Sequence, residues 1–257
     1  MMDTTTVPAS PSARCDALIA KRDLLGHPFY QAWSAGTLPL AALRDYAGEY
    51  GAFIGTIADG WRTAGHDRIA AIEVGHARIW SETFATTLGT SVGTPAVSEV
   101  AALVATAEEL FGDPATALGA LYAFEAQQPG TARSKRSGLV EHYPELPRTA
   151  GLYFAIHEDD DEEPAMLAVD MDALGAADAE RAVAACDRMT RALWDALSGV
   201  YAPHAEAWLA ATRAAFLEGY ATAAEGGGFF ASFEAARGLL GLFEIEKALY
   251  ELRYELD

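Results

Sequence analysis

Residues 38–64 read "LPLAALRDYAGEYGAFIGTIADGWRTA". Pro39 suits a first helical turn. Leu43, Tyr46, Tyr50, Phe53, Ile54 and Ile57 then recur at steps of three and four, the spacing that lines one face of an α-helix. The same period continues through "DRIAAIEVGHARIWSETFATTLGT" (67–90), with an interruption allowed at Gly75 and an end expected at Gly89. It returns in "VSEVAALVATAEELFG" (97–112), in "DPATALGALYAFEAQQPGTARSKRSGLVEHY" (113–143) and in "DAERAVAACDRMTRALWDALSGVY" (178–201). An Asp cap and a proline open the second of these, and Pro129 within it predicts a kink. No strand-like alternation of useful length occurs, so the fold class is all-α, a helical bundle.

Three segments are expected: a disordered lead-in over 1–13, a bundle over 14–203, and a helical extension over 204–257. The extension holds two helical stretches, separated by "EGGGFFASFE" (225–234), whose glycines read as a hinge. The last stretch carries apolar residues on more than one face and calls for cover by the bundle or by a partner.

With 257 residues and 51% hydrophobic content, the chain can bury a substantial core. A net charge of −19 argues against nucleic acid, which needs a basic face, and against an anionic membrane surface. Cys15 and Cys186 form no disulfide framework or metal-type CxxC, which fits a reducing cytoplasm. The N-terminus lacks the apolar centre of a signal peptide, and no apolar run approaches a membrane span.

Candidate chemistry lies in three helical stretches. Glu73 and His76 are three apart, the spacing that places a carboxylate and an imidazole on one helix face. Glu125 stands in the apolar run "LYAFEAQQ", where an unpaired carboxylate is costly. In "YFAIHEDDDEEPA" (153–165), His157 and Asp161 are four apart, again the spacing of one helix face. Together they supply three carboxylates and two imidazoles, a set that suits iron or manganese better than zinc. Each has a plainer reading. Glu73 and His76 can decorate a surface, the acids 158–163 can be a solvated face, and Glu125 can pair with Lys135 or Arg133. There is no GxSxG, P-loop or dinucleotide fingerprint, and no histidine lies near Cys186 in sequence.

"LLGHPFYQAWSAGTLPLAALRDYAGEYGAF", "HARIWSETFATTLG", "ALGALYAFEAQQPGTARSKRSGLVEHY", "YFAIHEDDD" and "ALWDALSGVY" occur in the order found in the haem-oxygenase-like (TenA-like) di-iron oxidases. Over residues 20–202 the chain resembles that family. It is closest to the 4-aminobenzoate synthase branch, that of the chlamydial protein associating with death domains. The resemblance implies two irons, with Glu73, His76, Glu125, His157 and Asp161 as ligands. It also implies dioxygen and a small-molecule substrate, and a homodimer is common among related bundles. In the synthase branch a tyrosine of the chain itself is consumed and a lysine gives the amino group. Tyr30 and Tyr46 match the two early tyrosines, and Lys135 matches the lysine. The chain departs from the pattern at three points. Glu73 is the nearest match to the first carboxylate, but the segment between it and His76 is shorter than in relatives. The last histidine of H-x-x-x-D-x-x-H falls on Pro164, which reduces the expectation to two, one or no irons unless Asp160, Glu162 or Glu163 supplies an oxygen ligand. The tyrosine usual before the core glutamate is Phe124.

The last stretch, ending "EKALYELRYELD", resembles the C-terminal helices of actinobacterial maltokinases over 205–257. That resemblance implies a helical brace or a docking element for a trehalose- or glycogen-pathway partner, with no kinase activity. The leading reading is thus an iron-dependent oxidoreductase. The alternative is a metal-deficient binding or regulatory module. Thiaminase-like hydrolysis ranks last, because neither cysteine lies in a stretch like that motif.

Overall fold

A computed structural model describes residues 9–224 and 233–256 of the chain. Every regular element among them is helical: α1 (Pro11–Ile19), α2 (Pro28–Ser34), α3 (Leu40–Ile54), α4 (Ile57–Thr63), α5 (Asp67–Ile79), α6 (Ser98–Leu110), α7 (Pro114–Glu125), α8 (Gln128–His142), α9 (Leu152–His157), α10 (Glu162–Asp172), α11 (Ala176–Ala224) and α12 (Phe233–Leu256). The all-α reading of the sequence period therefore holds.

Most of the expected lead-in, residues 1–8, lies outside the described residues, as do residues 225–232 of the hinge expected over 225–234, whose last two residues open α12. Residues 11–13, expected within the lead-in, are helical, because α1 already begins at Pro11. The Ser10 side chain accepts the Ala13 N–H at 3.3 Å, and Pro11 fits the first helical position. Ser12 ties this turn to α10 by donating its N–H and hydroxyl to Asp172, at 2.9 and 2.8 Å.

The chain divides into compact units of residues 1–204 and 205–257. In the second unit, Arg213 donates two hydrogen bonds of 2.8 Å to Glu244 and so joins the distal part of α11 to α12. Phe216 and Leu242 there are 68% and 65% exposed.

In the first unit, α7 is the most completely buried helix, with ten of its twelve residues inside. Asp113 caps it by accepting the N–H groups of Ala115 and Thr116. A Cβ on Gly119 would stand 1.9 Å from the Ala182 carbonyl oxygen of α11, so only glycine permits that crossing.

Three local departures from regular helix set the site. First, α5 passes through Gly75 unbroken and runs into a π-helical segment, Trp80–Ala85. That widened turn seats Trp80 and Phe84, both fully buried, and Trp80 donates its indole N–H to the Ala47 carbonyl at 2.8 Å. Gly89, at φ +69°, ends the helix as expected. Second, the kink expected at Pro129 is a full break. α7 stops at Glu125, and Pro129 occupies the first turn of α8, where its missing N–H leaves no bond unmade. Third, α9 stops at His157 and α10 begins at Glu162. The expectation that His157 and Asp161 share one helix face is corrected accordingly. Six consecutive acids repel one another in a continuing helix, and Pro164 favours a new start, since it falls in the first turn of α10.

The start of α2 carries a pH-sensitive contact. His27 is 2% exposed; its Nδ1 accepts the Phe29 N–H at 3.1 Å, and its Nε2 donates to Ser198 at 3.0 Å. This arrangement needs the neutral ring, and burial lowers the pKa from 6.5 to about 4. The unfolded chain therefore binds the proton more readily, and stability from this site is lost as pH falls from 6.5 towards 4. His27→Asn keeps a cap that cannot protonate. Over that window the wild type is expected to lose up to about 3 kcal/mol more than the variant in urea unfolding. Equal losses would show that His27 is not the group responsible.

Candidate metal centre

The centre draws on α5, α7, α9 and α10. Glu73 and His76 lie on one face of α5, as their spacing requires. Glu73 is 3% exposed, and His76 donates from Nδ1 to its Oε1 at 2.7 Å. His157, the last residue of α9, is 2% exposed and donates from Nδ1 to the Tyr153 carbonyl at 2.7 Å. A carbonyl oxygen can only accept, so the proton sits on Nδ1 and Nε2 keeps a free lone pair. Such a bond fixes the tautomer of a ligating imidazole. Burial lowers the His157 pKa and favours this neutral form. The rings of His76 and His157 stand edge to face with centroids 4.6 Å apart. Glu73, His76 and His157 each turn one ligand atom into a group whose members lie within 4.8 Å of one another.

Glu125 ends α7 at 3% exposure and accepts the Trp61 indole N–H at 3.3 Å. It has no cationic partner among the described residues. Arg133 is turned to Asp159 and the Glu158 carbonyl, and Lys135 to Tyr46. Burial, then the charges of Glu73 and Glu163, push the Glu125 carboxyl far above its ordinary range. Glu163 is buried too, and its carboxyl is raised to about 8 by burial and by Glu73 and Asp160. His76 is the compensating group. Burial opposes its charge, but the hydrogen bond and charge of Glu73 outweigh that and raise its pKa.

Of the acids 158–163, Asp159, Asp161 and Glu162 are exposed. Glu158 is paired with Arg136. Asp161 precedes α10 and is not brought into the group. Glu163 is the member turned inward, and its place on the helix shows why. It shares the buried face of α10 with Leu167 and Met171, at steps of four. Reading that face backwards from Leu167 reaches Glu163 from the sequence alone.

A second cluster adjoins the first. Tyr30, Tyr46 and Lys135 are all at most 2% exposed. The two phenol oxygens are 3.4 Å apart, and Lys135 Nζ donates to Tyr46 at 3.4 Å. Nζ also lies over the rings of Tyr30 and Phe154, at 5.4 and 5.0 Å. Burial with no acidic partner lowers the Lys135 pKa to about 7 and raises those of both tyrosines. Ring contacts join the two clusters, His157 to Tyr153 at 4.2 Å, Tyr153 to Trp80 at 4.9 Å and Trp80 to Tyr46 at 5.5 Å.

Comparison with known proteins gives this geometry a family. No family model matches the chain. A 4-aminobenzoate synthase of Chlamydia pneumoniae is 30% identical over 168 residues, covering 57% of this chain and 74% of the relative. The chain belongs to this haem-oxygenase-like family. The 4-aminobenzoate synthases of Chlamydia muridarum and Nitrosomonas europaea are 27% and 28% identical, covering 73% and 72% of this chain and 89% of each relative. Among solved structures, a TenA homologue from Pseudomonas syringae superposes with a TM-score of 0.60 at 14% identity, over 77% of this chain and 98% of its own. A TenA homologue from P. horikoshii gives 0.51 at 14%, over 73% and 98%. These two establish the haem-oxygenase-like, TenA-like fold. The comparisons lend no support to the maltokinase resemblance of residues 205–257.

The donor set fits a divalent metal. Glu73, His76 and His157 converge, no lysine or arginine among the described residues pairs with the buried carboxylates, and Nε2 of His157 is left free for a ligand. If a cation belongs there, Glu125→Gln has two opposed effects. The metal-free chain melts higher, by about 2–4 °C for each kcal/mol of relieved repulsion. The further rise on adding Mn(II) shrinks. Calorimetry of chelated and Mn(II)-loaded protein reads both, and a variant whose Mn(II)-induced rise equals that of the wild type would remove Glu125 from the donor set.

Proposed function

We propose that this chain is a metal-dependent, oxygen-consuming oxidoreductase that forms 4-aminobenzoate from its own residues, with Tyr30 as the source of the ring and Lys135 as the amino donor. The observation that carries the reading is the buried Lys135 amine. It is held 3.4 Å from the Tyr46 hydroxyl and over the Tyr30 ring, beside a Glu–His–His group. The naming of the relatives as 4-aminobenzoate synthases supports it.

Glu73, His76, Glu125 and His157 would hold the metal, iron or alternatively manganese. Bound there, the metal supplies the binding and reduction of dioxygen. The chain's own residues do the rest. Burial keeps the phenols of Tyr30 and Tyr46 protonated at neutral pH, so Tyr46 can hydrogen-bond both to Tyr30 and to the amine. With its pKa near 7, Lys135 is partly the free base, the form that has a lone pair to give. The aromatic walls Phe154, Trp33 and Trp80 exclude water from this amine and these phenols.

The hydrolytic alternative lacks a nucleophile on these helices. Cys15 and Cys186 are fully buried on α1 and α11, and contact with Cys15, then burial, pushes the Cys186 thiol far up.

Protein labelled with ¹⁵N-lysine, loaded with Fe(II) and reductant and exposed to air, should release 4-aminobenzoate one mass unit heavier. Lys135→Arg and Tyr30→Phe should retain metal and release none. Unlabelled product, or product at the wild-type level from Lys135→Arg, would end the self-sacrificing reading.

A further inference from the structure

We infer that Glu163 is a donor to the metal of this centre, in place of Asp161 and of the position now held by Pro164. The inference rests on the metal-dependent reading above and adds a ligand to it. Glu163 is nine-tenths buried, and among the described residues its carboxylate receives no hydrogen bond or ion pair. It lies in the first turn of α10, on the face that Leu167 and Met171 continue into the core. The charges acting on it are those of Glu73, Asp160 and His76, two of which belong to the Glu–His–His group. A carboxylate this far buried, with no protein donor and little water left to it, gains from a cation, and a metal shared with Glu73 would supply one. Asp161 stands outside α10 and is exposed to solvent, so it carries no such penalty.

Pro164 links the two changes. It cannot ligate, yet it suits the first turn of a helix, where no intrahelical N–H bond is forfeited. The residue that removes an imidazole thereby fixes the turn that points a carboxylate inward. Replacing imidazole by carboxylate hardens the donor set, which favours Mn(II) or Fe(II) over softer ions.

The test is an anaerobic titration of the full-length, chelator-stripped chain with Mn(II), reading free Mn(II) by electron paramagnetic resonance. Wild type and Asp161→Asn should bind alike. Glu163→Gln should bind about tenfold more weakly or worse, since even residues behind a ligand are worth that much. Glu163→Asp, which keeps a carboxylate, should recover part of the loss. Circular dichroism should show Glu163→Gln folded and at least as stable as wild type without metal, because the amide keeps the shape of the side chain and cannot ionise in a site where burial opposes the charge. Wild-type affinity in Glu163→Gln, or an equal loss in Asp161→Asn, overturns the donor assignment alone. A wild-type chain that takes up no Mn(II) overturns the metal-dependent reading and this assignment together.

Discussion

Three carboxylates from three helices, Glu73, Glu125 and Glu163, are buried close enough to act on one another, Glu73 stands with two imidazoles, and among the described residues no lysine or arginine pairs with any of the three. Ionised, such groups cost several kcal/mol each unless something positive meets them, and burial accordingly pushes the Glu125 and Glu163 carboxyls towards the protonated form. The hydrogen bond from His76 to Glu73 and one indole N–H to Glu125 offset part of that cost. The remaining imbalance is the physical reason to place a divalent cation there. The polypeptide around the cluster is built to hold it at fixed geometry, through the Nδ1 bond of His157 to Tyr153 and the packing of Trp61 and Trp80.

The donors reach this place through broken helices. Glu125 is the last residue of α7 and His157 the last of α9, while Glu163 lies in the first turn of α10. A helix end lets a side chain enter the core without the next turn following it. Two prolines, Pro129 and Pro164, sit just inside new starts, where they stabilise the break without forfeiting a hydrogen bond. The π-helical turn after α5 acts in the same way on the aromatic wall, since it turns Trp80 towards both Tyr46 and Tyr153.

Much of this was legible in the sequence. The three- and four-residue recurrence yields the helices, and the spacing of Glu73 and His76 yields one helix face. Periodicity alone misled at 157–161, because the i, i+4 rule assumes that the helix continues. Six adjacent acids and Pro164 end it there, so Asp161 faces water while Glu163 takes the face of Leu167 and Met171. The same rule, run backwards from Leu167, finds the buried glutamate. The contacts among Tyr30, Tyr46 and Lys135 have no local signature. They join residues 16 and 89 apart in sequence, and only the family resemblance brought them together before the structure did. The expected maltokinase-like role of residues 205–257 found no support in either the comparisons or the described contacts.

Metal content per chain after anaerobic Fe(II) loading and desalting tests the central claim most directly. If the buried carboxylates and imidazoles form a metal centre, the chain retains about one to two irons, as helical bundles with such donor sets do. A desalted chain that retains none, while still folded, would contradict the account.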